Sequence, residues 1–177
     1  MIANQSMNKN KWIAGLALHP HPEGGYYRRT FTSNYSSQTD DGSPRPAMSS
    51  IYYLLTDDSP IGHWHRNLTD IMHYFHAGSP LRYWLLSPRG ELTCQLLGAD
   101  PQADQQLQLS VPGGYWKATE LTGGENGMLS EVVCPAFTAE DMEMACATTL
   151  AAEFPRHGDI IKRLAATYAV QQPGGTA

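Results

Sequence analysis

Between residues 49 and 134 the chain is a succession of short apolar runs, none long enough for a typical helix: "SSIYYLLT", "IGHWHR", "IMHYFHA", "LRYWLLS", "ELTCQLLG", "LQLSV", "YWKATEL" and "GMLSEVVC". They are rich in β-branched and aromatic residues, and the breaks between them carry turn chemistry such as Asp-Asp-Ser-Pro, Val-Pro-Gly-Gly and Gly-Gly-Glu-Asn-Gly. "YYRRTFT" at 26–32 belongs to the same class, and "SSQTDDGSPRP" at 36–46 reads as a polar loop. About nine short strands at close spacing predict an all-β sandwich or barrel. The ends differ. Trp12, Ile13, Leu16 and Leu18 share one face of a short helix over 9–18, and "HPHPEGG" stops it. From Thr138 to Tyr168 the pattern turns helical and alanine-rich, with Thr138 and Asp141 resembling an N-terminal cap.

Composition narrows the function classes. The 177 residues are enough for one domain with a substantial core, 41% of them are hydrophobic and 16% charged. A net charge of −5 argues against a nucleic-acid partner, which needs a basic face. The apolar run nearest the N-terminus, "WIAGLAL", is too short to span a bilayer, so the expectation is a cytoplasmic protein with no membrane partner. "QQPGGTA" reads as a frayed tail. Three cysteines without a Cys-x-x-Cys spacing predict no disulfide framework, and all three are expected reduced and mostly buried.

Four of the seven histidines lie in "GHWHRNLTDIMHYFHAGSP", residues 62–80. Strand alternation puts His63 and His65 on one face, with Trp64 and Arg66 on the other. In the next strand Ile71, His73 and Phe75 share a face. Pairing of the two strands would bring His63, His65 and His73 together, a possible ligand set for a transition metal. Equally, each histidine can be an ordinary sheet residue satisfied by a backbone partner. Glu23, Tyr26 and Arg28 in "HPEGGYYRR" form a candidate pocket rim, Glu131 in "LSEVVC" a candidate inward carboxylate, and Tyr52 and Trp116 candidate pocket walls. His19, His21, His76 and His157 read as structural or surface residues.

These motifs resemble the cupins, whose first motif carries His-x-His, a glutamate and a closing glycine, matched here by His63, His65 and Gly78. Their second motif is matched by Pro112 and Gly114. "LALHPHPEGGYYRRTF", "HWHR", "YFHAGSPL", "LSPRGEL", "VPGGYW" and "VVCPAFTAEDMEMA" are similar to the Cupin-5 branch, a domain of unknown function, over about residues 12–160. The resemblance implies a cupin-type jelly-roll β-barrel, also called a double-stranded β-helix, with short flanking N- and C-terminal α-helices. It also implies a single domain over 1–177 with flexible ends, a homodimer and a pocket inside the barrel. Two motif positions depart from the pattern: Ile71 stands for the glutamate and Lys117 for the last histidine. Two unit charges 4 Å apart repel by roughly 4 kcal/mol at a dielectric near 20, and a divalent ion beside an ammonium by about twice that.

The expected ligand is therefore a small polar molecule, sugar-like or carboxylate-bearing, with no cofactor favoured. An enzyme built this way would be a metal-independent isomerase or epimerase, with His65 or His73 as base and Lys117 as electrostatic partner. The alternatives are a metal-dependent cupin using His63, His65 and His73, and a non-catalytic binding protein.

Overall fold

The computed structural model describes residues 8–39 and 42–166. The expected flexible ends and the tail "QQPGGTA" lie outside the described residues. Helix α1 (Lys9–Gly15) opens the chain, capped by the Asn8 side chain accepting from the Lys11 N–H. Fourteen strands follow in chain order among the described residues: β1 (His19–Pro20), β2 (Tyr26–Thr32), β3 (Ser36–Gln38), β4 (Pro44–Pro46), β5 (Ser49–Thr56), β6 (Ile61–Asn67), β7 (Asp70–Gly78), β8 (Leu81–Leu86), β9 (Leu92–Leu97), β10 (Gln105–Gln106), β11 (Gln108–Val111), β12 (Trp116–Leu121), β13 (Asn126–Cys134) and β14 (Met142–Met144). Helices α2 (Ala147–Glu153) and α3 (Gly158–Leu164) close it.

Two six-stranded sheets form the barrel walls, in the orders β1-β2-β5-β13-β7-β11 and β10-β9-β8-β12-β6-β14. The core between them takes side chains from both, among them Tyr53, Leu55 and Leu129 from the first sheet and Leu81, Tyr83 and Leu85 from the second. Each such side chain contributes about 1.5–3 kcal/mol by leaving water. The helices cover the outer faces. Trp12, Ile13 and Leu16 of the α1 region pack on Leu54 and Met128. Leu150, Ile161 and Leu164 of α2 and α3 pack on Trp64 and Trp116.

Three expectations need correcting. The polar segment 36–46 is not all loop: β3 and β4 pair as a hairpin, Ser36 opposite Pro46. "TAEDMEM" is not helical. Thr138 precedes a single 3-10 turn, Ala139–Asp141, without a side-chain capping bond, and β14 then adds an edge strand to β6. Its alanine-rich continuation does form α2, so the helical reading began too early. The three cysteines are free but exposed rather than buried. No helix among the described residues is long and apolar enough to cross a membrane.

The alternation of the sheets is broken at two places that matter for the pocket. On β6, Gly62 and His65 stand opposite Thr119 and Lys117 of β12, so three steps on one strand match two on the other. On β7, Ala77 and Phe75 stand opposite the consecutive residues Met128 and Leu129, leaving His76 as the extra residue. Both are β-bulges, which re-aim the side chains around them.

Candidate functional site: a polar pocket inside the barrel

Glu23 enters the barrel on the turn between β1 and β2. Gly24 has φ +101°, and a Cβ there would lie 2.0 Å from the Ile61 carbonyl oxygen, so this turn requires glycine. The turn is pinned on both sides: the His63 N–H donates to the Glu23 carbonyl at 2.6 Å, and the Tyr53 hydroxyl donates to that of Gly24 at 2.8 Å. Gly24→Ala is expected to cost about 2 kcal/mol or more and to displace Glu23. An unchanged urea midpoint in that variant would contradict the reading.

Glu23 is 7% exposed. Burial raises its pKa to about 8; Lys117 opposes the rise and Glu131 adds to it. Its Oε2 lies 3.0 Å from His65 Nε2 and 3.7 Å from His21 Nδ1. The Glu23 N–H donates to His21 Nδ1 at 3.1 Å, so that nitrogen carries a lone pair. Burial, with Lys117 as the lesser cause, lowers the His21 pKa to about 4. His65 is likewise held neutral, well below the usual imidazole range, first by burial and then by Lys117. Its Nδ1–H donates to the His63 carbonyl at 2.7 Å, which leaves the lone pair on Nε2. That Nε2 is buried and makes no aligned hydrogen bond, despite its closeness to Glu23. Near neutral pH the contact therefore joins a neutral acid to a neutral base, not two ions.

Behind this pair lies a second polar group. Lys117 stands opposite His65 in the β12–β6 register, and Glu131 opposite His73 in the β13–β7 register. The Lys117 ammonium, on one sheet, reaches across the interior to the other. It donates to His73 Nε2 at 3.0 Å and pairs with Glu131 Oε2 at 3.6 Å. His73 is fully buried; its Nδ1–H donates to the Leu109 carbonyl at 3.2 Å, and its ring packs edge-on against Tyr83. Burial first, then Lys117, keeps it neutral.

A cavity of about 40 Å³ adjoins these groups. Glu23, His65, Lys117 and Glu131 line it, with His21 and Asn67 beside them. Its walls are apolar (Ile51, Ile71 and Val133), and Arg29 marks the solvent side, its guanidinium 5.7 Å from the centre of the Phe137 ring. At roughly 10–15 Å³ per water, the enclosed part takes about three waters.

Six residues expected at the pocket are elsewhere. The bulge on β6 turns His63 outward with Trp64, and its Nδ1 lies 3.1 Å from the Leu164 carbonyl of α3. Arg28 pairs with Tyr52 in the β2–β5 register, and both occupy the outer face; Tyr52 packs beneath α1 with Tyr26. Trp116 is on the outer face of the second sheet, under the Arg66 guanidinium. His73 touches Lys117 but stands behind the cavity wall. The side chains that reading overlooked are His21, Tyr27, Arg29, Asn67 and Phe137. One of them was within reach of alternation: Asn67 follows His65 by two positions.

The proposed metal ligands do not converge. His63 faces α3, and the Nε2 lone pair of His73 accepts from the Lys117 ammonium. Among the described residues no group of three or more His, Cys, Asp and Glu side chains is placed to hold a metal ion. The residues present do not fit a divalent cation.

A two-sheet β-barrel with helices on its outer faces and a polar interior pocket is a cupin jelly roll. Residues 10–145 match the family model Cupin_5, described as Cupin superfamily (DUF985), and the chain belongs to that family. It is 39% identical over 138 residues to the uncharacterized protein YML079W of Saccharomyces cerevisiae, covering 70% of this chain and 68% of that one. Among solved structures, protein SO0799 from Shewanella oneidensis is 33% identical with a TM-score of 0.84, covering 92% of this chain and 99% of its own. A hypothetical protein from Leishmania major is 31% identical with the same TM-score, covering 90% and 99%.

Proposed function

We propose that the protein is a metal-independent acid–base enzyme that moves a proton on a small carbonyl compound, as an isomerase or epimerase does. The observation that carries this is the Glu23–His65 pair: an acid that keeps its proton to about pH 8, 3.0 Å from a neutral imidazole lone pair, both on the same cavity. A neutral imidazole lone pair beside an undissociated acid is what enolisation needs.

His65 Nε2 takes the proton from the carbon next to the carbonyl. The Glu23 hydroxyl gives its proton to the carbonyl oxygen. The substrate becomes a neutral enol, and the protein holds an imidazolium beside a carboxylate. Lys117 favours the ionised form of Glu23 in that state. Return of the two protons, to a different carbon or to the opposite face, completes isomerisation or epimerisation. Lys117 itself is kept in place by Glu131 and His73.

Deuterium exchange tests the scheme. In D2O the protein is expected to exchange the C–H next to the carbonyl of at least one small hydroxy ketone or 2-oxo acid that it binds, followed by proton NMR. Glu23→Gln and His65→Gln should each slow the exchange by about 100-fold or more. Ligands that bind without any exchange would overturn the enzymatic reading and leave a binding protein.

A further inference from the structure

One buried polar atom of the cavity lining has no partner in the protein: Asn67 Oδ1, on a residue only 6% exposed. An unpaired acceptor in a buried site costs roughly 1–3 kcal/mol, so its partner is to be sought outside the protein. An amide oxygen requires a donor, and a hydroxyl supplies one.

On the same cavity, Arg29 has no carboxylate partner among the described residues. Its guanidinium is held beside the Phe137 ring and leaves its N–H groups free for a planar anion. The formal charges agree. Arg29 and Lys117 face Glu131, while Glu23 stays protonated to about pH 8, so the lining carries one excess positive charge. The walls between are apolar, and the enclosed space admits only a short molecule.

We infer that the ligand is a short hydroxy-oxo carboxylate of about three or four carbons, its carboxylate on Arg29 and its hydroxyl donating to Asn67 Oδ1. The inference rests on the acid–base reading for the carbonyl and on the Asn67 and Arg29 geometry for the other two groups. In this pose the carbon bearing the hydroxyl lies next to the carbonyl, where His65 Nε2 would act. The reaction class is interconversion of a 2-oxo-3-hydroxy acid with its 2-hydroxy-3-oxo isomer, which needs no oxidant or reductant.

Three probes of similar size separate the contributions: hydroxypyruvate carries all three groups, pyruvate lacks the hydroxyl, and dihydroxyacetone replaces the carboxylate with a neutral group. Calorimetric titration of the full chain is expected to show hydroxypyruvate binding at least about tenfold more tightly than either of the others. Arg29→Gln should erase its advantage over dihydroxyacetone, and Asn67→Ser its advantage over pyruvate. Equal binding of all three, or no binding of hydroxypyruvate up to about 10 mM, overturns the ligand class, and neither outcome depends on a variant folding. The acid–base reading fails separately: the expected order of affinities without deuterium at C3 of hydroxypyruvate sinks the chemistry and leaves the ligand class standing. Exchange into dihydroxyacetone with no preference for hydroxypyruvate does the opposite.

Discussion

Glu131→Gln is expected to lower stability by about 3–5 kcal/mol at neutral pH, seen as a large fall in the urea midpoint. The amide is nearly isosteric, so little packing changes. What changes is the partner of Lys117, an ammonium on a residue 2% exposed, with its chain buried between the two sheets. Without the carboxylate it retains His73 Nε2 as an acceptor but no counter-charge. Removing one member of a buried pair costs far more than removing both. The double variant Glu131→Gln with Lys117→Met should therefore recover most of the loss. The cavity offers one competing outcome. Water entering beside Lys117 could solvate the ammonium, and a loss below about 1 kcal/mol would show that the pair is solvated in the folded protein.

The second large effect is a pH-dependent gain in Glu23→Gln. In the unfolded chain Glu23 ionises near pH 4.5, whereas the folded protein holds its proton to about pH 8. Between these values the unfolded state binds fewer protons than the native state, so rising pH disfavours folding. At 1.36 kcal/mol per pH unit, the disadvantage grows from nothing near pH 4.5 to about 3 kcal/mol at pH 7 and levels off above pH 8. The glutamine cannot ionise and escapes it. The groups facing Glu23 are His21 and His65 at contact distance, with Lys117 and Glu131 at longer range. His21 acts on the acid side. Its folded pKa of about 4 lies below the ordinary 6.5, so its stabilising contribution is full above pH 6.5 and declines as pH falls toward 4. His65 and His73 shift in the same direction. Wild type should thus lose stability toward both acid and alkaline pH, and Glu23→Gln mainly toward acid. Urea midpoints measured from pH 5 to 8 check this, and a difference between the two proteins that does not vary with pH would refute the buried-acid assignment.

The same carboxyl connects stability with the proposed chemistry. A protonated acid that is costly to keep near neutral pH is retained on a cavity, against a base with no other partner. Functional sites commonly hold such conflicts between local stability and reactivity.

The strand content, the turns, the helix near the N-terminus and the family were all legible in the residues, because strand runs and Gly/Pro punctuation are local properties. Glu23, His65, Lys117 and Glu131 were identifiable from residue type and motif position, and the structure gathers them at one cavity. His63 was misplaced because a strict period of two assumes an unbroken ladder. The bulge on β6 depends on how β12 pairs with it, more than fifty residues downstream, and nothing within "GHWHR" announces it. Arg28 and Arg29 differ only in which face they take, and that parity is set by the register with β5, not by two adjacent arginines. The sequence by itself determined a β-barrel with an imidazole, a lysine and two carboxylates available to its interior. Only the tertiary structure decided which imidazole faces the acid, that Lys117 occupies the lone pair a metal would need at His73, and that Asn67 leaves a buried acceptor unpaired. Those outcomes depend on contacts between strands far apart in the chain, where one residue of slip reverses every side chain.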